Sequence, residues 1–159
     1  MDHQLVLISG KGKEVVFRAQ LAEHSEFLRG LVIDYQGAPI TLYGVSKKSL
    51  NLLKDYCEAH QYFLPQPPTK PVRSDNLYDI LNDRNTRFFD SMRMKNVDRL
   101  LNVADYLVIE SLIGVCSAVI ASMFKNKHYR YACAEWGLDD SQVSAARRDV
   151  TDKYAWINN

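Results

Sequence analysis

Two short β-rich runs open the chain. Leu5-Val-Leu-Ile8 and Val15-Val-Phe17 stand either side of Ser9-Gly-Lys-Gly-Lys13, and two glycines between apolar, β-branched segments predict a hairpin. The same glycines invite a phosphate-cradling reading. However, Gly10 and Gly12 lack the G-x-x-x-x-G-K-S/T spacing that aims a row of backbone N–H groups at a phosphate, so the hairpin is preferred. From Ala19 to Val32 the apolar positions Leu21, Phe27, Leu28 and Leu31 predict short helices, and Pro39-Ile-Thr-Leu42 predicts a short strand. Ser46 is suited to cap a helix whose apolar face is Leu50, Leu53, Tyr56 and Cys57.

Four prolines, Pro65, Pro67, Pro68 and Pro71, then interrupt the pattern. Proline has no N–H to donate and blocks helix, so an extended connector is expected over residues 65–77. The chain beyond it reads as helical. Asn96 is expected to cap a helix carrying Val97, Leu100, Leu101, Ala104 and Leu107 in steps of three and four. A second helix follows with Ile109, Leu112, Ile113, Cys116, Val119, Ile120 and Met123. That stripe is too wide for one neighbour and predicts a sandwiched helix, covered by its own core or by a partner. The organisation expected is therefore 1–64, a connector at 65–77, helices over 78–124, and a last helical segment over 125–159.

Composition narrows the picture. Lys and Arg number 20 against 19 Asp and Glu, for a net charge of +1. Seven residues of each sign precede residue 65, and the densest basic stretch is only Lys125, Lys127 and Arg130. Nucleic-acid binding draws on a strongly basic face, and none is present. Cys57, Cys116 and Cys133 are odd in number and lack a paired spacing, which suits a reducing compartment. Asp2, His3 and Gln4 offer no basic-then-apolar signal, and the uncharged run from Ser111 to Phe124 is short for a bilayer, so an intracellular soluble protein without membrane contact is expected.

Catalysis needs a nucleophile, an acid or base and a group to orient them, and no such constellation assembles. Cys57 and His60 share a helix face without a second ligand pair at metal spacing. His24, His60 and His128 lack an H-E-x-x-H context, and Ser9 and Ser25 lack a G-x-S-x-G elbow. Asp139 and Asp140 follow Gly137 and precede Ser141, the setting of a helix entry rather than of paired catalytic acids. Trp136 and Trp156 stand out instead, separated by a polar segment with Leu138, Val143, Val150 and Tyr154. They either complete the core or anchor a partner.

Several segments in order resemble the S-phase kinase-associated adaptor proteins, which bridge F-box proteins to a cullin in SCF ubiquitin ligases. Leu5 to Glu14 is similar to the family's opening L-x-S-x-D-G hairpin, and Ala22-Glu-His-Ser25 with Leu28 and Leu31-Val32 is similar to A-x-x-S-x-x-L-x-x-L-V. Val45 to Leu50 and Asp55-Tyr-Cys-Glu-Ala-His60 match V-x-x-x-x-L and Y-C-x-x-H. Ala104-Asp-Tyr-Leu-Val-Ile-Glu-Ser-Leu-Ile113 is close to A-N-Y-L-x-I-x-x-L-L, and Met123 to Lys127 resembles M-I-K-G-K. The spacing from Trp136 to Trp156 equals the family's spacing from an aromatic to its closing tryptophan.

The resemblance implies an α/β fold: a BTB/POZ-type module over roughly residues 1–124 with a C-terminal helical extension. It implies a non-enzymatic adaptor in ubiquitin-dependent protein catabolism, cytoplasmic and nuclear, with no cofactor, metal or small-molecule substrate. The F-box surface it implies comprises Val97, Leu100, Leu101, Ile109, Leu112, Trp136, Leu138, Val150 and Trp156, and the cullin surface Asp105 and Tyr106. The chain also departs from the family pattern. Asp105 stands for its asparagine, Asp98 for a phenylalanine, His128-Tyr-Arg-Tyr131 for T-P-E-E and Asp139 to Ser144 for N-D-F-T-x-E-E. The connector carries Lys70 and Arg73 against one acid, Asp75. These changes touch the polar cullin contacts more than the apolar stripe. They leave open a second role, a structural subunit that keeps an F-box-like partner without a cullin.

Overall fold

The alternation of Leu5, Leu7 and Ser9 against Gln4, Val6 and Ile8 gives the first strand, β1 (Gln4–Ser9), one buried face. A turn follows in which Gly12 takes φ of 71° and donates to the Ser9 carbonyl at 2.8 Å. It returns the chain as β2 (Glu14–Arg18), antiparallel to β1, with Leu5 opposite Phe17 and Leu7 opposite Val15. A third strand, β3 (Ile40–Leu42), pairs parallel to β1, giving the order β2-β1-β3. The computed structural model describes residues 4–35 and 37–158, without the side chains of residues 32–35, 140 and 157–158. Asp2, His3 and the side chains of Val32 and Asp140, all singled out above, lie outside the described residues.

Between β2 and β3 run α1 (Leu21–His24) and α2 (Glu26–Tyr35). The helix α3 (Lys47–Ala59) begins where Ser46 accepts from the Ser49 N–H at 3.1 Å, the cap expected from the sequence. It buries Leu50, Leu53, Tyr56 and Cys57. No regular structure follows until Asn76 caps α4 (Leu77–Ile80), so the proline-rich stretch is a connector. Next come α5 (Asp83–Phe89), α6 (Met94–Tyr106) and α7 (Glu110–Phe124). Asn96 is not the cap of α6. The helix starts three residues earlier, after Arg93, and the Asn96 side chain accepts from Arg99 instead.

The chain divides into two compact units, 1–123 and 124–159. In the first, one core joins Leu7, Phe17 and Leu42 of the sheet to Leu53 and Tyr56 of α3, Phe89 of α5, Val97 and Leu100 of α6, and Leu112 and Val119 of α7. The two sides of the connector thus share one apolar interior. The second unit is helical, with α8 (Tyr129–Trp136), α9 (Asp140–Lys153) and a 3-10 turn over Ala155–Asn158.

Candidate functional site

Ser25 ties the N-terminal helices to the corner between α6 and α7. Its hydroxyl donates to the Leu107 carbonyl and accepts from the Leu28 N–H, and the Glu26 N–H donates to the Val108 carbonyl at 3.3 Å. Val108 itself is held at φ of 52°, a left-handed conformation that costs a β-branched residue free energy and persists only where its surroundings fix it. The two residues at the end of α6 are thereby presented from a rigid corner. Asp105 is exposed, and Tyr106 shows its outer part while its ring meets Phe27 edge-on at 5.6 Å. Asp98, two turns earlier on the same side of α6 as Asp105, accepts a hydrogen bond from Asn102.

The nine residues expected to form one apolar docking surface are not all on the surface. Val97, Leu100, Ile109 and Leu112 have no exposed area and belong to the core of the first unit. The wide stripe of α7 is covered within its own unit, with Ile113, Ile120 and Met123 packed at the margin of the same core. Leu101 is half-buried.

The second unit behaves differently. His128 caps α8 by accepting from the Arg130 N–H, and Gly137, left-handed at φ of 65°, ends it while the Leu138 N–H closes onto the Cys133 carbonyl. Asp139 then opens α9 with a capping box. Its carboxylate accepts from the Gln142 N–H at 2.8 Å and the Gln142 side chain accepts from the Asp139 N–H. The Ser141 hydroxyl, followed by the Gln142 N–H, holds the Asp139 carboxyl below its ordinary range. Two helices joined this tightly leave a groove of about 730 Å³ between them. It is lined mainly by Ala132, Cys133, Leu138, Val143, Ala146 and Val150. Leu138 and Val150 remain about half exposed, Trp136 stacks at 4.7 Å on Phe124 with 45% of its surface open, and Trp156 is 71% exposed. Monomers seldom leave so many large apolar groups of one small unit in water without a partner for them. The sequence marked Trp136, Leu138, Val150 and Trp156. It gave no sign of Tyr129, Cys133, Ala146 or Arg147, which line the groove only because α8 and α9 face each other.

The groups that resemble catalytic ones are structural. Burial pushes the Cys57 thiol up to about 12 and raises Cys116 as well, so neither is a ready thiolate. His24 bonds the Tyr62 carbonyl through Nε2 at 2.8 Å, and His60 is buried with Nδ1 2.8 Å from the Tyr56 carbonyl. Among the described residues no group of three or more His, Cys, Asp or Glu is placed to hold a metal ion, and no helix is long and apolar enough to cross a membrane.

Comparison with known proteins agrees with the fold. Over 122 residues, 76% of this chain and 74% of the other, it is 25% identical to the S-phase kinase-associated protein 1 homolog of Tetrahymena thermophila. Over 127 residues, 79% and 77%, it is 25% identical to the E3 ubiquitin ligase complex SCF subunit sconC of Arthroderma benhamiae. No protein-family model matches the chain. The small three-stranded sheet with its helices is a BTB/POZ-type module, followed by helices with an exposed apolar face. Within that class the chain is similar, at 25% identity, to proteins named as an S-phase kinase-associated protein homolog and an SCF subunit.

Proposed function

We propose that the protein is a non-enzymatic adaptor of an SCF-type ubiquitin ligase, acting in cytoplasm and nucleus, which grips an F-box protein and links it to a cullin. The observation that carries this is the exposed apolar set of the second unit, Leu138 and Val150 lining the α8–α9 groove together with Trp136 on α8 and Trp156 in the closing turn, residues suited to a partner helix. Asp105 and Tyr106, held out on a fixed corner of the other unit, supply a second surface for the cullin. The relatives are named as an S-phase kinase-associated protein homolog and an SCF subunit, which supports the same role.

A second reading is favoured by one feature, the exposed carboxylate of Asp105 beside Tyr106. A charge covered by a partner without a counter-charge opposes binding. On that reading the chain keeps the F-box grip and serves as a structural subunit without a cullin. Affinity purification of the full chain with mass spectrometry separates the two. A cullin with several F-box proteins is the expected result; one fixed partner set without a cullin selects the structural subunit; recovery of neither class overturns both.

A further inference from the structure

Along α9, Val143, Ala146, Arg147 and Val150 fall at i, i+3, i+4 and i+7, one stripe of the helix, and all four line the α8–α9 groove. On that stripe the guanidinium is the one charged group among apolar neighbours, with Gln142 and Thr151 lining the groove beside it. Arg147 is exposed, and its Cζ lies 4.9 Å from the centre of the Tyr129 ring across the groove. Its own helix offers it no counter-charge, since the positions three and four residues away are Val143, Ser144, Val150 and Thr151. Among the described residues the ion pair present is Lys54 with Glu58, in the other unit.

Resting on the F-box reading above, we propose that this groove selects a partner helix bearing a carboxylate that meets Arg147. A helix that covers Val143 and Val150 must also cover Arg147 between them, and so strips water from a fixed positive charge. Covering it with an apolar or basic group is unfavourable, whereas a carboxylate accepts two guanidinium N–H bonds in one plane. Tyr129 reports the same local field. Its exposed phenol is held below its ordinary range by hydrogen bonding with Arg130 and, after that, with Arg147. The occupant is thus an amphipathic helix with an apolar stripe for Leu138, Val143 and Val150 and an acidic residue toward the Tyr129 end, and basic helices are rejected.

The test uses the full chain and a fluorescent synthetic F-box segment from a partner recovered by purification, with a set of peptides in which each acidic residue is replaced singly by lysine. Arg147→Glu should weaken binding about tenfold or more, and the affinity of the parent should fall as salt is raised. Arg148→Glu, whose charge lies off the stripe and four residues before Asp152, should bind as the parent does. One Glu→Lys or Asp→Lys peptide should bind Arg147→Glu better than it binds the parent. If Arg147→Glu, folded by thermal melt, binds as tightly as the parent while Trp156→Ala weakens binding, acidic selection is wrong and the F-box reading stands. If no F-box segment binds any form, both fall.

Discussion

A Cβ placed on Gly114 would lie 2.4 Å from the Cβ of Pro67, so the proline-rich connector rests directly on the backbone of α7. The connector is packed at that point, and only a residue without a side chain lets it come so close.

Helix propensity alone would make Gly114→Ala stabilising by about 1 kcal/mol. The added methyl meets Pro67, and overpacking of this kind costs about 1–3 kcal/mol. We expect a net loss of up to about 2 kcal/mol in urea unfolding. Adding Pro67→Gly should recover part of it, because the clashing Cβ is then gone. A Gly114→Ala protein at least as stable as the parent would mean that the connector does not dock on α7.

His60 makes stability depend on pH. Burial lowers its affinity for a proton below the ordinary value of 6.5, outweighing the hydrogen bond to the Tyr56 carbonyl and the nearby Asn85 amide, and the Arg84 charge acts in the same direction as burial. As pH falls, the unfolded chain therefore takes the proton first. The contribution of neutral His60 is complete above about 6.5 and is lost as pH drops from there toward the folded-state value. Urea melts from pH 7.5 to 5 should show stability declining on acidification, with a shallower decline in His60→Asn. Equal slopes in the two proteins would remove His60 as the cause.

Features set by neighbours in the chain were legible in the sequence. The Ser46 and Asp139 caps need only a side chain and the N–H three residues on, and the hairpin needs only its glycines. Features set by distant packing were not. The breadth of the α7 stripe showed that something must cover it, but only the fold shows that Leu112, Cys116 and Val119 join the same core as Val97, Leu100 and Ile109 within the first unit. The sequence does not single out Gly114, because its reason lies at Pro67 in another part of the chain. Nor does it single out Arg147, whose place depends on Tyr129 across the groove.

The three cysteines give a direct check on the groove. Cys57 and Cys116 are fully buried with raised thiols, whereas Cys133 is half-buried and lines the α8–α9 groove. Iodoacetamide on the native protein should modify Cys133 well before the other two, as read by peptide mass spectrometry. An F-box segment should protect it. Equal labelling of all three cysteines contradicts the core, and labelling of Cys133 unchanged by a bound segment places that segment elsewhere.

At the other surface, Asp105 and Tyr106 separate the adaptor from the structural subunit. Asp105→Asn should tighten cullin binding by about 1–3 kcal/mol if docking desolvates the carboxylate without a basic partner. Tyr106→Lys should abolish cullin capture and leave the F-box complex intact, since the two surfaces belong to different residues of the chain. Pull-down with a cullin N-terminal region reads both. Capture by neither the parent nor Asp105→Asn would select the structural subunit.

Trp156 is 71% exposed at the centre of a single 3-10 turn over Ala155–Asn158, whereas Trp136 is stacked on Phe124. An exposed indole adds little to the stability of the free protein, because it is already in water. Covered by a partner, a tryptophan buries about 150–250 Å², at roughly 25 cal/mol per Å², for an upper bound on the order of 4–6 kcal/mol. Ordering a chain segment costs about 1–2 kcal/mol per residue, which removes part of that gain. Trp156→Ala should therefore weaken F-box binding by about 2–4 kcal/mol, the size of an interface hot spot, and barely move the melting temperature of the free protein. Trp136→Ala should do the reverse in part, lowering the melting temperature through the loss of its stacking on Phe124. A titration and a thermal melt on each variant decide between the roles. If Trp156→Ala destabilises the free protein and leaves partner affinity unchanged, that tryptophan belongs to the core and the docking surface must be drawn without it.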